Sequence, residues 1–187
     1  DRSEFEGEST PLPAIGTEVP VILSMGMLRR TKGHHVVLRA LAQLKDLPWR
    51  LVIAGEGPAR AELESAVKGL GLAERVTLAG VVEGPQRRWL FRNAQLFCLF
   101  PIYFEVCGNA FLEAQAAGLP VIASNAGALA EVLVDGASAL LVPLSGAPDV
   151  NEEAATPLLA QALREALGSA DLRARLAAGG LARAAEL

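Results

Sequence analysis

The sequence contains few of the residues that build disulfide scaffolds or metal sites. Of its 187 residues only two are cysteines, Cys98 and Cys107, and only two are histidines, the adjacent His34 and His35. Neither pair has the spacing of a metal site, and free buried cysteine is typical of a reducing compartment. The sequence therefore predicts no metal site, a cytoplasmic location, and cysteines that act as small core residues.

Long apolar runs and blocks of like charge are also absent. The longest apolar stretch, Leu96 to Phe104, is interrupted by Pro101 and is far shorter than a membrane span. The net charge of −4 has no concentrated block of either sign, which argues against a nucleic-acid partner. The first ten residues are acidic and polar, so they do not predict a signal peptide.

The remaining composition is that of one globular domain. Hydrophobic residues make up 51% of the chain and charged residues 20%, and the length suits a single core. Residues 1–18 contain Gly, Pro and Glu without periodicity and are interpreted as a linker. Residues 19–187 are then interpreted as the domain. The helical pattern at the end of the chain has no stop signal, which suggests truncation or an element that docks elsewhere.

From Val19 onward, short apolar runs alternate with amphipathic segments joined by short connections. Such alternation predicts an α/β fold with a doubly wound, six-stranded parallel sheet, followed by two extra C-terminal helices. The predicted strands are 19–25, 49–54, 75–79, 96–100, 121–124 and 139–142. The predicted helices are 33–44, 58–70, 85–94, 109–117, 128–134, 154–167 and 170–186.

Ligands of open α/β sheets bind where the strands end, so the loops after the strands are the candidate site. The loop after the first strand, residues 26–33, is flanked by glycines and carries Arg29, Arg30 and Lys32. Cations next to a helix N-terminus attract phosphate, which predicts a phosphate-binding loop. A solvated basic turn is the alternative, because it would have the same sequence pattern. Gly55-Glu56-Gly57-Pro58 after the second strand is weak evidence for a dinucleotide, and a tight turn that permits close chain approach is the alternative.

The segment after the fourth strand carries two carboxylates, Glu105 and Glu113, eight residues apart. Gly108 between them permits close approach of the backbone to a ligand, at the predicted start of a helix. A carboxylate accepts hydrogen bonds from adjacent hydroxyl groups, so sugar hydroxyls are suitable partners for both. For Glu113, an ordinary exposed helix position is the alternative.

Five motifs occur along the chain in the same order as the predicted strands. They are Gly-x-Leu-x-x-x-Lys-Gly at 26–33, Gly-Glu-Gly-Pro at 55–58, Glu-x7-Glu at 105–113, Glu-Ala-x-Ala-x-Gly-x-Pro-Val-Ile-Ala-Ser at 113–124, and 131–143. With them, residues 19–145 resemble the C-terminal, donor-binding domain of the group 1, or family 4, retaining glycosyltransferases. These enzymes have a GT-B fold of two Rossmann-like domains.

The resemblance implies a role for each matching position. Lys32 would contact the donor diphosphate and Glu105 the transferred sugar, as the catalytic pair, and Glu113 would bind the ribose. Further donor contacts would come from the phosphate loop, from the backbone under the sugar and from the segment lining the base: Gly26, Arg29, Arg30, Gly33, Val81, Val106, Cys107, Gly108, Asn109 and Ala110. The reaction would need no cofactor and no metal beyond the nucleotide sugar itself. The acceptor would be bound mainly by an N-terminal domain absent from this chain, onto which the last helices would cross.

One departure from the family pattern bears on donor binding. The family usually has Arg directly after the first glycine of the phosphate loop, where this chain has Met27. Loss of a charged hydrogen bond would weaken donor binding about tenfold to a hundredfold, unless Arg29 or Arg30 compensates. A nucleotide-sugar-binding module whose catalytic site has decayed is therefore the main alternative. A sugar-nucleotide epimerase is a second alternative, because such enzymes share the two-domain fold, but the Glu-x7-Glu motif disfavours it.

The basic and aromatic segment Arg87 to Arg92 allows two interpretations. It could contact a membrane surface weakly in the full-length enzyme. The favoured alternative is an amphipathic helix that packs on the sheet.

Overall fold

A computed structural model of the chain describes residues 2–12, 15–103, 108–144 and 152–187. Its strands form one six-stranded sheet in the order β3-β2-β1-β4-β5-β6, and every pairing is parallel. The strands are Val21–Met25 (β1), Arg50–Ala54 (β2), Val76–Gly80 (β3), Leu96–Cys98 (β4), Val121–Ser124 (β5) and Ala139–Val142 (β6). The predicted doubly wound α/β fold is confirmed.

Helices cover both faces of the sheet. They are His34–Ala42 (α1), Arg60–Gly69 (α2), Gly84–Asn93 (α3), Asn109–Ala116 (α4), Leu129–Val132 (α5), Glu152–Gly168 (α6) and Ala170–Glu186 (α7). One core layer lies under α1, α2 and α6, and a second lies under α3, α4 and α5. Because both faces are covered, the strands are apolar throughout rather than alternating, as parallel strands generally are.

Strand β4 ends at Cys98, two residues before the predicted end. Pro101 has no N–H to offer a neighbouring strand, and the Phe100 carbonyl is packed against Gly33 instead of joining the ladder. Cys98 is fully buried, and burial raises the pKa of its thiol, so this cysteine is a core residue as predicted. Cys107 lies outside the described residues.

The beginning of the segment interpreted as a linker packs on the domain. A 3-10 helix spans Arg2–Phe5, and the Phe5 ring lies 4.8 Å from the Phe91 ring of α3. The backbone N–H of Thr10 donates to the Pro85 carbonyl at the start of the same helix. The domain boundary at residue 18 stays a prediction, but residues 2–10 line α3 in this structure.

The two C-terminal helices also pack on this domain. Leu159 and Leu163 of α6 join the core beside α1, while α7 lies against α4 and the β5–β6 side of the sheet. Ser169 begins α7 by accepting a hydrogen bond from the backbone of Leu172, as a capping residue does. None of the described helices is long and apolar enough to cross a membrane.

Candidate functional site

The centre of the sheet brings two loops together. Strands β1 and β4 are neighbours, and from this point the chain continues to β2 on one side and to β5 on the other. A crevice forms where the order of strands reverses in this way, at the carboxyl ends of the strands. The loops that leave β1 and β4 therefore meet at the position where such sheets bind ligands.

The loop after β1 lies on the Gly55–Gly57 turn. The Gly26 N–H donates to the Ala54 carbonyl at 3.0 Å, and the Leu28 N–H donates to the Glu56 carbonyl at 2.9 Å. A Cβ atom at Gly55 would overlap the Gly26 carbonyl, so the turn has no room for a side chain. Of the two interpretations of this turn, close chain approach is the one that the structure shows.

Gly33 closes the loop and joins it to the loop after β4. Its φ of 70° lies in the left-handed region, between a short 3-10 helix and α1. Its Cα faces the Phe100 carbonyl so closely that any Cβ would overlap that oxygen. The Ile102 N–H donates to the Thr31 carbonyl at 2.9 Å, which ties the two loops a second time.

The predicted phosphate-binding cations occupy different surroundings. Lys32 is partly buried in the loop and Arg29 is exposed. Arg30 turns toward α2 and α6, where its guanidinium pairs with Glu62 at 2.7 Å and with Glu152 at 3.2 Å. Met27 has 52% of its surface exposed at the rim of the same loop.

Two buried histidines, at the start of α1, lie directly after this loop. Ser24 and His34 share a hydrogen bond of 2.9 Å through Nδ1. The backbone of Gly26 and Met27 lies beside the same ring, and its hydrogen bonding favours a higher pKa of His34. Burial lowers the pKa of His34 to about 4, and the positive charges of His35 and Lys32 act in the same direction. The imidazole of His34 is therefore neutral at pH 7.

The second histidine joins the loop to α6 through one carboxylate. Nε2 of His35 lies 3.0 Å from Glu152, which also accepts from Arg39 at 2.9 Å. Burial lowers the pKa of His35, and the bond to Glu152 opposes that shift. Burial alone would raise the pKa of Glu152, but the bond to His35 and the charge of Arg30 outweigh it and leave that pKa lowered.

Helix α4 begins at the crevice. Gly108 precedes it in the left-handed region with φ 55°, and Asn109 and Ala110 form the first turn. The N–H groups of a first helical turn have no partners within the helix, so they are available to an anion. Three predicted site residues, Glu105, Val106 and Cys107, lie outside the described residues.

The start of the loop between β4 and α4 is held from β5. The Ser124 hydroxyl, fully buried at the end of β5, donates to the Pro101 carbonyl. A buried hydroxyl with this partner orients the chain as it leaves β4. The loop thus has anchors to β5 and to the β1 loop before it reaches the undescribed residues.

Glu113 lies on the first turns of α4 and borders a cavity of about 380 Å³. Its carboxylate pairs with Arg87 of α3 at 2.8 Å, with 37% of the Glu113 side chain exposed. The cavity lies between α3, α4 and the N-terminal segment, and it is lined by Glu4, Glu83, Gly84, Arg87, Arg88 and Glu113. The partner that a half-buried carboxylate needs is thus a guanidinium in this structure.

Val81, predicted to line the base of a nucleotide, follows β3 at the same end of the sheet. It has 64% of its surface exposed, whereas the next residue, Val82, is buried in the core. Leu90 and Phe91 of the following helix α3 are also buried. The packing-helix interpretation of Arg87 to Arg92 therefore agrees with the structure.

Sequence reasoning missed four residues that shape the site. Arg87 was interpreted only as part of a basic and aromatic segment, either on a membrane surface or in a packing helix. Glu4 was interpreted as part of a linker, and Ser124 as part of a motif without its own role. Glu152 had no predicted role, and its partners Arg30 and His35 lie more than a hundred residues away in sequence. No local sequence pattern predicts such a contact, although an acidic residue at a helix start is a weak signal.

Among the described residues, no cluster of three His, Cys, Asp or Glu side chains could hold a metal ion.

The order of the strands defines a doubly wound, Rossmann-like α/β domain. The family model for glycosyl transferases group 1 matches residues 9–178, so the chain belongs to that family. The chain is 29% identical over 160 residues to the alpha-D-kanosaminyltransferase of Streptomyces kanamyceticus, covering 84% of this chain and 39% of that protein. It is 34% identical over 127 residues to the D-inositol 3-phosphate glycosyltransferase of an Arthrobacter species, covering 65% and 30%. The chain thus spans well under half the length of these curated relatives.

Solved structures agree with the GT-B assignment. Anabaena HepE in complex with UDP and glucose superposes with a TM-score of 0.77 at 23% identity, over 90% of this chain and 44% of that one. The C-terminal domain of the group 1 glycosyltransferase LpcC from Francisella tularensis superposes with a TM-score of 0.73 at 25% identity. That match covers 90% of this chain and 87% of the LpcC domain, which was crystallised by itself.

Proposed function

We propose that this chain is the donor-binding domain of a retaining hexosyltransferase that uses a nucleoside diphosphate sugar. The observation that carries the proposal is the junction of the β1 and β4 loops, through Gly33 against Phe100 and Ile102 against Thr31. Lys32 lies in the loop after β1, and α4 begins at Asn109 in the loop after β4. A cation and a helix N-terminus together suit a diphosphate.

The catalytic task at such a site is to stabilise the departing diphosphate. Charge develops on that group as the bond to the sugar breaks, and preorganised donors lower the barrier most when they are aimed at it. Lys32 and the first N–H groups of α4, from Asn109 and Ala110, supply positive charge without a metal ion. Glu105 orients the sugar hydroxyls, as the family resemblance implies.

The nucleoside occupies the cavity beside Glu113. At about 380 Å³ the cavity is within the usual size range of small-ligand sites. The Glu113 carboxylate accepts hydrogen bonds from two ribose hydroxyls, and the backbone near Val81 borders the base. Anabaena HepE, whose structure contains UDP and glucose, supports a nucleotide sugar as the donor class.

The acceptor is bound by a part of the enzyme outside this chain. The curated relatives are more than twice as long as the segment that the chain covers. We therefore expect the 187-residue chain to bind donor and to transfer no sugar, and detectable transfer by this chain alone would contradict that expectation.

The first test is ligand-observed NMR of the 187-residue chain with UDP, GDP and ADP, followed by their glucose, N-acetylglucosamine and mannose conjugates. We expect saturable binding of one nucleotide, and tighter binding of one of its sugar conjugates. The Glu105→Ala variant should lose the discrimination among sugars and should keep its affinity for the free nucleotide. Equal loss of nucleotide affinity in this variant would remove Glu105 from the sugar-binding role.

A binding module without transferase activity is the second candidate, and the phosphate loop supplies the observation that favours it. Met27 offers no hydrogen bond to a phosphate, and Arg30 is engaged by Glu62 and Glu152 rather than aimed at the crevice. If no nucleotide binds at millimolar concentration, the Met27→Arg variant distinguishes the causes. Restored binding would identify Met27 as the defect, whereas continued absence would show that residues beyond this chain are required.

A further inference from the structure

We propose that Arg87 is a positioning residue of the nucleoside site, which holds the Glu113 carboxylate in place to receive the ribose. The inference rests on the proposed function, because it assumes that Glu113 binds ribose hydroxyls. The inference assigns a role to Arg87 on α3 and to its contact with the N-terminal segment, and both lie outside the sequence motifs described above.

Arg87 is held from four directions. Its two terminal nitrogens pair with Glu113 at 2.8 Å and with Glu4 at 2.9 Å. Its guanidinium carbon lies 5.4 Å from the centre of the Phe5 ring and 5.0 Å from that of Phe91, within the range of cation–π contact. Only 16% of the Arg87 side chain is exposed, so the guanidinium has little freedom to move.

The charge balance of the cavity makes this cation necessary. Three carboxylates, from Glu4, Glu83 and Glu113, line the cavity together with two guanidinium groups. A glutamate side chain has several rotamers, and like charges in one cavity favour those that point toward solvent. Arg87 offsets this repulsion and fixes one rotamer of Glu113.

The geometry leaves Glu113 able to bind a ligand while it is held. The 2.8 Å contact with Arg87 is made by the Oε2 atom of the carboxylate. Each carboxylate oxygen accepts about two hydrogen bonds, so Oε1 can receive a ribose hydroxyl without loss of the ion pair. A planar guanidinium that rests on two adjoining rings is well suited to this role, since it loses little entropy when the ligand binds.

The test compares a nucleotide with its 2′,3′-dideoxy analogue, for whichever of UDP, GDP and ADP binds most tightly. The analogue lacks both hydroxyls that Glu113 would bind. We expect the wild-type chain to prefer the ribonucleotide about tenfold to a hundredfold. In Arg87→Met the preference should fall to about threefold or less, through weaker binding of the ribonucleotide alone. If Arg87 had a purely structural role, Arg87→Met would weaken the binding of both ligands equally and would leave the preference unchanged.

Two further variants complete the design. Arg87→Lys keeps the charge but not the planar fork, and it should restore part of the preference, which also provides a result if Arg87→Met does not fold. Arg92→Met is the matched control, because Arg92 lies on the same helix and donates to the Phe5 carbonyl at 2.9 Å but does not line the cavity. Arg92→Met should keep the wild-type preference.

Glu113→Gln separates failure of this inference from failure of the proposed function. If Glu113→Gln abolishes the preference and Arg87→Met does not, Arg87 has no positioning role and the proposed function stands. If Glu113→Gln leaves the preference intact, or if the wild-type chain binds the nucleotide without any preference, Glu113 does not bind the ribose. The inference about Arg87 then fails, while the measured binding of the nucleotide still supports the proposed function.

Discussion

The Gly33→Ala variant should lose about 2–5 kcal/mol of folding free energy, and with it the junction of the two site loops. The left-handed conformation of residue 33 costs a residue with a side chain about 1–2 kcal/mol. The added methyl group would also overlap the Phe100 carbonyl, so the backbone of one loop must shift, and overpacking of this kind costs about 1–3 kcal/mol more. Urea denaturation followed by circular dichroism measures the loss.

Gly69→Ala provides the matched control. Gly69 is the last residue of α2, its φ is not positive, and a Cβ there would meet nothing within 4 Å. Alanine should stabilise this position by about 0.4–1 kcal/mol, because it restricts the unfolded chain. A loss below about 1 kcal/mol in Gly33→Ala would show that the loops adapt easily and that their junction is not rigid.

Mild acid should destabilise the domain through His34. The pKa of His34 is lowered to about 4 by burial, from an ordinary value near 6.5. The unfolded chain therefore takes up a proton as the pH falls through about 6.5, whereas the folded chain stays neutral at this position until about pH 4. The contribution of neutral His34 to the free energy of unfolding is therefore fully present above about pH 6.5. It decreases as the pH falls from about 6.5 toward about 4, and we expect a loss of about 2 kcal/mol between pH 7 and pH 5.

The test of this prediction is urea denaturation at several pH values between 7 and 5, at constant ionic strength. The His34→Gln variant should flatten the decline, although a smaller slope should remain because burial also lowers the pKa of His35. His35→Gln is the comparison variant and should keep most of the slope. If His34→Gln and the wild-type chain decline in parallel, protonation of His34 does not govern acid stability.

Much of the fold follows from local pattern. Apolar runs such as Val121–Ser124 alternate with amphipathic helices such as Arg60–Gly69, and a parallel sheet with helices on both faces is the arrangement that buries both. The predicted bounds differ from the observed ones by a few residues, most notably at the end of β4. That strand is cut short by a tertiary contact, the approach of Phe100 to Gly33, which no window around Phe100 contains.

The candidate site shows the same division between local and distant information. Gly33 and Lys32 are recognisable from the local sequence, because a glycine beside cations at the end of a strand is typical of a phosphate-binding loop, although a solvated basic turn has the same pattern. Arg30 looks equivalent to Lys32 in the sequence, but the fold places Glu62 and Glu152 beside it, and they direct its charge away from the crevice. Charge identity is encoded in the residue, whereas its target depends on which distant helices pack nearby.

The sequence by itself determined the family, the order of the strands and helices, and the loops proposed to carry the chemistry, since each depends on residue types within a short window. Only the tertiary structure decided that Arg87 holds Glu113, that the N-terminal segment lines the same cavity, and that His34 is buried and neutral. Those properties arise from burial and from pairing across 26 to 83 residues of chain, and they exist only once the sheet and its two layers of helices have assembled.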